Sequence, residues 1–289
     1  QAGREFYVAM CPLKIIPKLF IFNDYDIPPE LRAQRTLREA RIPAIKDYIL
    51  NNPKDYTFSS LTASVDGLME FSPSPSLGKD GKLGRLYINM DSRLLINDGQ
   101  HRRKAIEEAL KEKPELGKEM ISVVFFQDDG LKRSQQMFSD LNKNAVKPTK
   151  SLNILYDHRD EFYRFVVGLV NSIPVFENRV EMEKTTLSNR SSKAFTLNGI
   201  ADATLKLLGL GKTRKITKKD EHLVVEFWNT VSENIPEWQI LYKGEVVPSE
   251  LRKNFVNTNT NLLNALGIAG RLLIAEFPDT WQSKLKSLK

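Results

Sequence analysis

Leu94-Leu95-Ile96-Asn97-Asp98-Gly99-Gln100-His101-Arg102-Arg103 is the stretch on which the reading of this chain turns. Its apolar start is a short strand. From Arg102 to Lys111 the apolar residues Ala105, Ile106, Ala109 and Leu110 then recur at helical spacing. An apolar strand therefore runs through a small polar turn directly into a helix. Asp98 is a residue type that caps helices, and Gly99 lets the backbone turn tightly or approach a ligand closely. The first turn of a helix carries unpaired N–H groups and partial positive charge, which suits an anion. Arg102 adds a planar, permanently charged fork that matches phosphate oxygens, while Gln100 and His101 add donors able to orient a phosphate or a water. The pattern predicts a phosphate-binding corner at Asp98, Gly99, Gln100, His101 and Arg102. Arg103 either joins it or pairs with Glu107 one turn on. A plain capped junction is the competing reading, but one cap does not need a run from Asn97 to Arg103 with no apolar side chain.

Outward from that stretch, residues 86–90 and 120–126 read as strands, and 57–65 is a β-prone run ending at the Asp66-Gly67 turn. Residues 72–84, rich in Ser, Pro and Gly, read as a surface loop. Residues 30–50 have helical spacing interrupted at Pro43. From Leu131 onward the pattern is helical, over 131–142, 152–170, 197–208, 218–234 and 262–275. The expected architecture is an α/β (α+β) N-terminal domain over residues 1–150 and a mostly α-helical domain over 151–289.

Composition narrows the function. The 289 residues are 41% hydrophobic and 27% charged, which supports a packed core and argues against disorder. Lys and Arg outnumber Asp and Glu by 43 to 36, giving +7, and the excess favours a polyanionic partner. Cys11 is the single cysteine, which excludes internal disulfides and Cys-ligated zinc or iron–sulfur sites. Three histidines, His101, His158 and His222, argue against a multi-histidine metal site, and no metal ligands are assigned. No run reaches the ~18 apolar residues of a membrane span. A soluble, cytoplasmic protein is expected, with native residues expected ahead of Gln1.

Several basic groups are candidate DNA contacts. Arg32, Arg35, Arg38 and Arg41 recur every three residues, and Arg35 and Arg41 are taken as phosphate contacts. Lys132, Arg133, Lys143, Lys147 and Lys150 form a second group, with Gln135, Gln136 and Asn142 able to reach base edges. Lys212, Arg214, Lys215, Lys218 and Lys219 form a third, read either as a solvated loop or as a backbone contact whose phosphates release counterions. Gly211-Lys212-Thr213 imitates the end of a P-loop, but the glycine required earlier falls at Lys206, so no nucleotide site is assigned there. The run from Asp157 to Glu161 reads as helix capping rather than acid–base chemistry.

Asp98-Gly99-Gln100-His101-Arg102 spells a DGQHR signature, and the chain here resembles proteins of ParB/sulfiredoxin-like fold. The closest resemblance is to the DndB family of DNA sulfur modification proteins. It is carried by Leu31-Arg32-Ala33-Gln34-Arg35 with Arg41-Ile42-Pro43, and by Ile96 to Arg103. Gln135-Gln136-Met137-Phe138 with Asp140-Leu141-Asn142, and Leu155 to Asp160, extend it. The resemblance implies a member that binds double-stranded DNA and restrains expression of genes for phosphorothioate modification. In ParB-like relatives the equivalent corner holds nucleotide phosphates. The expected function is therefore a DNA-binding repressor, in contact with DNA and with other proteins of the modification system, as a possible homodimer. The alternative is an ATP- or metal-dependent phosphohydrolase or nicking enzyme, with Asp98 and His101 catalytic and ATP with Mg at the corner.

Overall fold

The computed structural model describes residues 1, 3–20, 38–76, 80–128, 130–143, 147–211 and 215–288. The chain divides into two units, Gln1–Ala145 and Val146–Lys289. In the first, β1 (Phe6–Pro12) leads through a 3-10 turn into α1 (Ile16–Leu19). Then come α2 (Ile42–Asn51), β2 (Leu61–Asp66), β3 (Met69–Pro73), β4 (Gly84–Ile88) and β5 (Arg93–Asp98). The series closes with α3 (Gln100–Glu112), β6 (Met120–Gln127) and α4 (Leu131–Lys143). Four of the strands form one sheet in the order β1-β6-β2-β5, and β3 and β4 make a separate antiparallel hairpin. Within the sheet β2 and β6 run parallel, and the two outer pairs are antiparallel.

Side-chain alternation explains how the sheet is covered. Leu61, Ala63 and Val65 of β2 and Ile121, Val123 and Phe125 of β6 point to one face. There they pack with Ile16, Ile49 and, from α3, Ala105, Ile106 and Ala109. Burying one such aliphatic side chain stabilises the unit by about 1.5–3 kcal/mol. The opposite face of β2 and β5 carries Thr62, Ser64 and Asn97, all buried, as are Ser134 and Met137 of α4. Asn97 exchanges hydrogen bonds with the Ser64 hydroxyl and donates to Met137 Sδ at 3.3 Å.

In this first unit two elements differ from the sequence reading. Strand β1 was hidden by Pro12, Lys14 and Pro17, yet Tyr7, Ala9 and Cys11 turn inward while Phe6, Val8 and Met10 turn outward. Residues 72–84 are not loop throughout, because Ser72 and Pro73 pair with Arg85 and Gly84 and complete the hairpin.

The second unit holds α5 (Lys150–Tyr156), α6 (Glu161–Ser172), a two-strand pair of β7 (Val180–Glu181) and β8 (Phe195–Thr196), α7 (Leu197–Leu208), α8 (Lys218–Asn234), α9 (Pro236–Tyr242), α10 (Pro248–Asn254), α11 (Thr260–Glu276) and α12 (Trp281–Lys284). The single helix expected over 152–170 is two. Asp157 Oδ1 accepts the N–H groups of Arg159 and Asp160, and Asp160 caps α6 by accepting from Tyr163 N–H. Two carboxylates thus stop one helix and start the next. The core is an aromatic cluster: Phe176, Phe195, Trp228 and Trp238 lie with ring centroids 5.1 to 6.4 Å apart. Both indole N–H groups are satisfied, Trp228 by Thr204 Oγ1 and Trp238 by the Asn257 carbonyl, each at 3.1 Å. Among the described residues no helix is long and apolar enough to cross a membrane.

Candidate functional site: the strand-to-helix corner

The corner begins with a bulge. Thr62 opposes Asp98 while Ala63 opposes Ile96, so the β5 register shifts by one residue around Asn97. The next residue but one, Gly99, has φ +105° and occupies the N-cap position of α3. An L side chain rarely adopts that conformation, and a Cβ there would drive into the Leu61 methyl and sit 3.2 Å from Arg102 Nη2. Glycine is required twice over, for its backbone angle and for its missing side chain.

No side chain caps α3. Asp98 was expected to do so and does not. Its Oδ2 instead accepts from Arg102 Nη2 at 2.6 Å. Arg102 Nη1 donates to the Ser59 carbonyl at 2.5 Å, to the Ser59 hydroxyl, and to the Ser60 carbonyl at 3.2 Å. The guanidinium therefore ties the end of β5 to the chain entering β2, and its side chain is only 14% exposed against 43% for Asp98. Arg103 pairs with Glu107 at 2.5 Å and donates to the Pro17 carbonyl at 2.7 Å, which is the pairing foreseen from their spacing. Gln100 is buried, and its Nε2 has no hydrogen-bond partner among the described residues. A buried amide left unpaired costs about 1–3 kcal/mol, so an acceptor brought to it recovers that loss.

His101 is placed differently. Its Nε2 accepts the backbone N–H of Arg38 at 3.1 Å. Arg38 precedes a 3-10 turn, Glu39–Arg41, that leads into α2. Burial, and then the positive charges of Arg41 and Arg38, push the His101 pKa below its ordinary value, while Asp98 acts the other way. Arg38 and Arg41 are exposed, and neither guanidinium has an ion-pair partner among the described residues. The two cations thus lie near enough to His101, in the opening turn of α3, for their charge to act on it. The arginine periodicity gave no hint that this segment reaches the corner, since some 60 residues of chain lie between them. Ser59 and Ser60, the carbonyl partners of Arg102, carried no signal at all.

The remaining candidates scatter. Arg35, Lys212 and Arg214 lie outside the described residues. Lys132 is exposed on α4, Lys143 is exposed at its C-terminal end, and Arg133 is half-buried with an unpartnered Nε. Lys147 and Lys150 belong to the second unit. Lys150 is engaged by Asp202 at 2.5 Å. Gln136 donates to Asp140 and Asn142 to the Phe138 carbonyl, so each amide makes a bond within α4. Lys215 and Lys219 are exposed, and Lys218 pairs with Glu221 at 2.8 Å. Among the described residues no group of three or more His, Cys, Asp and Glu side chains gathers to hold a metal ion. At the corner one oxygen of Asp98, Oδ2, is held by Arg102, and the side chain is 43% exposed.

A mixed α/β unit with a glycine-hinged strand-to-helix corner, followed along the chain by a helical unit, is the class of protein these features define. Over its whole length, residues 1–289, the chain matches the family model described as DndB, DNA-sulfur modification-associated, and it belongs to that family. Its role accordingly lies in the DNA sulfur modification system. No curated protein and no solved structure matches it.

Proposed function

We infer that this protein is a cytoplasmic DNA-binding regulator that represses the genes of its own phosphorothioate modification cluster, and that the corner grips a backbone phosphate. The observation that carries the reading is the approach of Arg38 and Arg41 to His101 at the start of α3. With no ion-pair partner among the described residues, the two guanidinium groups would add charge-assisted donors near a helix start whose dipole already favours negative charge, which supports reading the corner as an oxyanion site. Arg102 serves this site from behind, by holding Asp98 and the β2 entry in place. Further phosphates would meet Lys132 and Lys143 in the first unit and Lys147, Lys215 and Lys219 in the second. The bulge, the glycine hinge and the corner support reading the first unit as ParB/sulfiredoxin-like, with the domains meeting near residue 150.

The test is binding of the intact chain to duplex DNA from the control region of its own cluster, against an unrelated duplex of equal length, with ATP turnover measured in parallel. Preference for the control-region duplex by tenfold or more, without turnover, is the expected result. Turnover that disappears in Asp98→Ala while DNA affinity survives would establish a phosphohydrolase instead.

A further inference from the structure

We propose that the groove between α7 and α11 is a docking site for an acidic amphipathic helix of a partner protein. The groove encloses about 900 Å³ within the helical unit. Its walls are two matched stripes. Asp202, Leu205, Lys206 and Gly209 line it from α7 and the residue that ends that helix, and Ile268, Arg271, Leu272 and Ala275 line it from α11. Each set has the spacing i, i+3, i+4, i+7, so each is one continuous helical face about 10 Å long. Two parallel ridges of that length accept two turns of a third helix laid between them.

The chemistry of the walls selects the occupant. Ile268 is 50% exposed and Leu272 65%, a pair of large aliphatic side chains one turn apart that no described residue covers fully. Both helices are otherwise firmly seated. A Cβ at Gly267 would strike the Ala203 carbonyl of α7 and one at Gly270 the Phe227 ring of α8, so α11 already packs closely on both helices. Lys206 and Arg271 are exposed at its rim, and neither has an ion-pair partner among the described residues. Asp202, the one acid on the walls, is neutralised by Lys150. The guanidinium of Arg271 lies against Gly209, whose φ of +64° ends α7. An apolar floor between two cations complements a helix with aliphatic anchors at i and i+3 or i+4 and carboxylates on both flanks. A basic helix would meet two like charges, and a DNA duplex would have to desolvate Ile268 and Leu272 against phosphates.

The experiment uses the intact chain and two fluorescein-labelled peptides of 16 residues. Both have Leu at i, i+3, i+4 and i+7, with Glu on the remaining face of one and Lys on that of the other. Fluorescence anisotropy should show saturable binding of the acidic peptide, at least tenfold tighter than the basic one. Leu272→Ser and Ile268→Ser, both exposed positions that leave the core intact, should each weaken it several-fold. Lys206→Glu with Arg271→Glu should reverse the preference between the peptides, and Lys206→Glu alone should narrow it. No saturable binding of the acidic peptide, equal binding of both, or an unchanged preference in the double variant would overturn the proposal. So would displacement of the bound peptide by duplex DNA, which would make nucleic acid the occupant.

Discussion

Replacing Gly99 by alanine tests whether the corner is built as described, because both penalties can be worked from its surroundings. The first is conformational: a residue with a Cβ held at φ +105° costs ~1–2 kcal/mol. The second is steric. The new methyl meets Leu61, which is fully buried, so the clash cannot be relieved by swinging a surface side chain aside. Overpacking of that kind costs about 1–3 kcal/mol, for a total near 2–5 kcal/mol. Amide hydrogen exchange in β5 and the first turns of α3 should accelerate by roughly 30-fold to several thousand-fold, since 1.4 kcal/mol is a factor of ten. All three tryptophans, Trp228, Trp238 and Trp281, belong to the second unit, so tryptophan fluorescence supplies an internal control for the helical core. Gly99→Ala combined with Leu61→Val should recover part of the steric term relative to the sum of the single changes, and none of the backbone term. A Gly99→Ala protein with exchange rates within a factor of two of the parent would refute both the hinge and the Leu61 contact.

Two further outcomes follow from particular contacts. Burial and the arginine charges keep the His101 pKa below 6.5, so the folded chain holds a neutral ring that the unfolded chain protonates first. That contribution to stability is complete above about pH 6.5 and is lost as the pH falls through the lowered value. His101→Gln should therefore flatten the acid limb of urea midpoints measured by far-ultraviolet circular dichroism, and limbs that stay parallel would contradict it. In the second unit, Thr217 and Asp220 form a reciprocal capping box on α8, and Thr217→Ala should cost about 1 kcal/mol in the tryptophan-monitored transition. A shift under a few tenths of that would mean the helix does not depend on its cap.

How much was legible in the sequence depended on whether the deciding force was local. The helices at 197–208 and 218–234 were readable to the residue, since their apolar stripes and caps (Thr196 and Thr217) are contained in the segments themselves. The β5–Gly99–α3 junction was readable for the same reason. What failed was non-local. Asp98 looks like a cap until Arg102, one turn on, claims its carboxylate, and that claim rests on carbonyls of Ser59 and Ser60 some forty residues away. The edge strand β1 was masked because prolines and lysines follow it, although its period-two alternation was there to be counted. The approach of the Arg38–Arg41 turn to His101 depends on how the chain before α2 folds back toward α3, which no spacing rule encodes.

The most direct measurement of the central claim is the salt dependence of duplex binding by the intact chain and by its Arg38→Gln, Arg41→Gln double variant. If these side chains grip phosphate beside α3, the slope of log affinity against log salt should shrink by about two, because each lost contact no longer releases counterions. Binding at low salt should also weaken by more than tenfold. A double variant that binds with the parent's slope and affinity would show that the corner does not hold DNA.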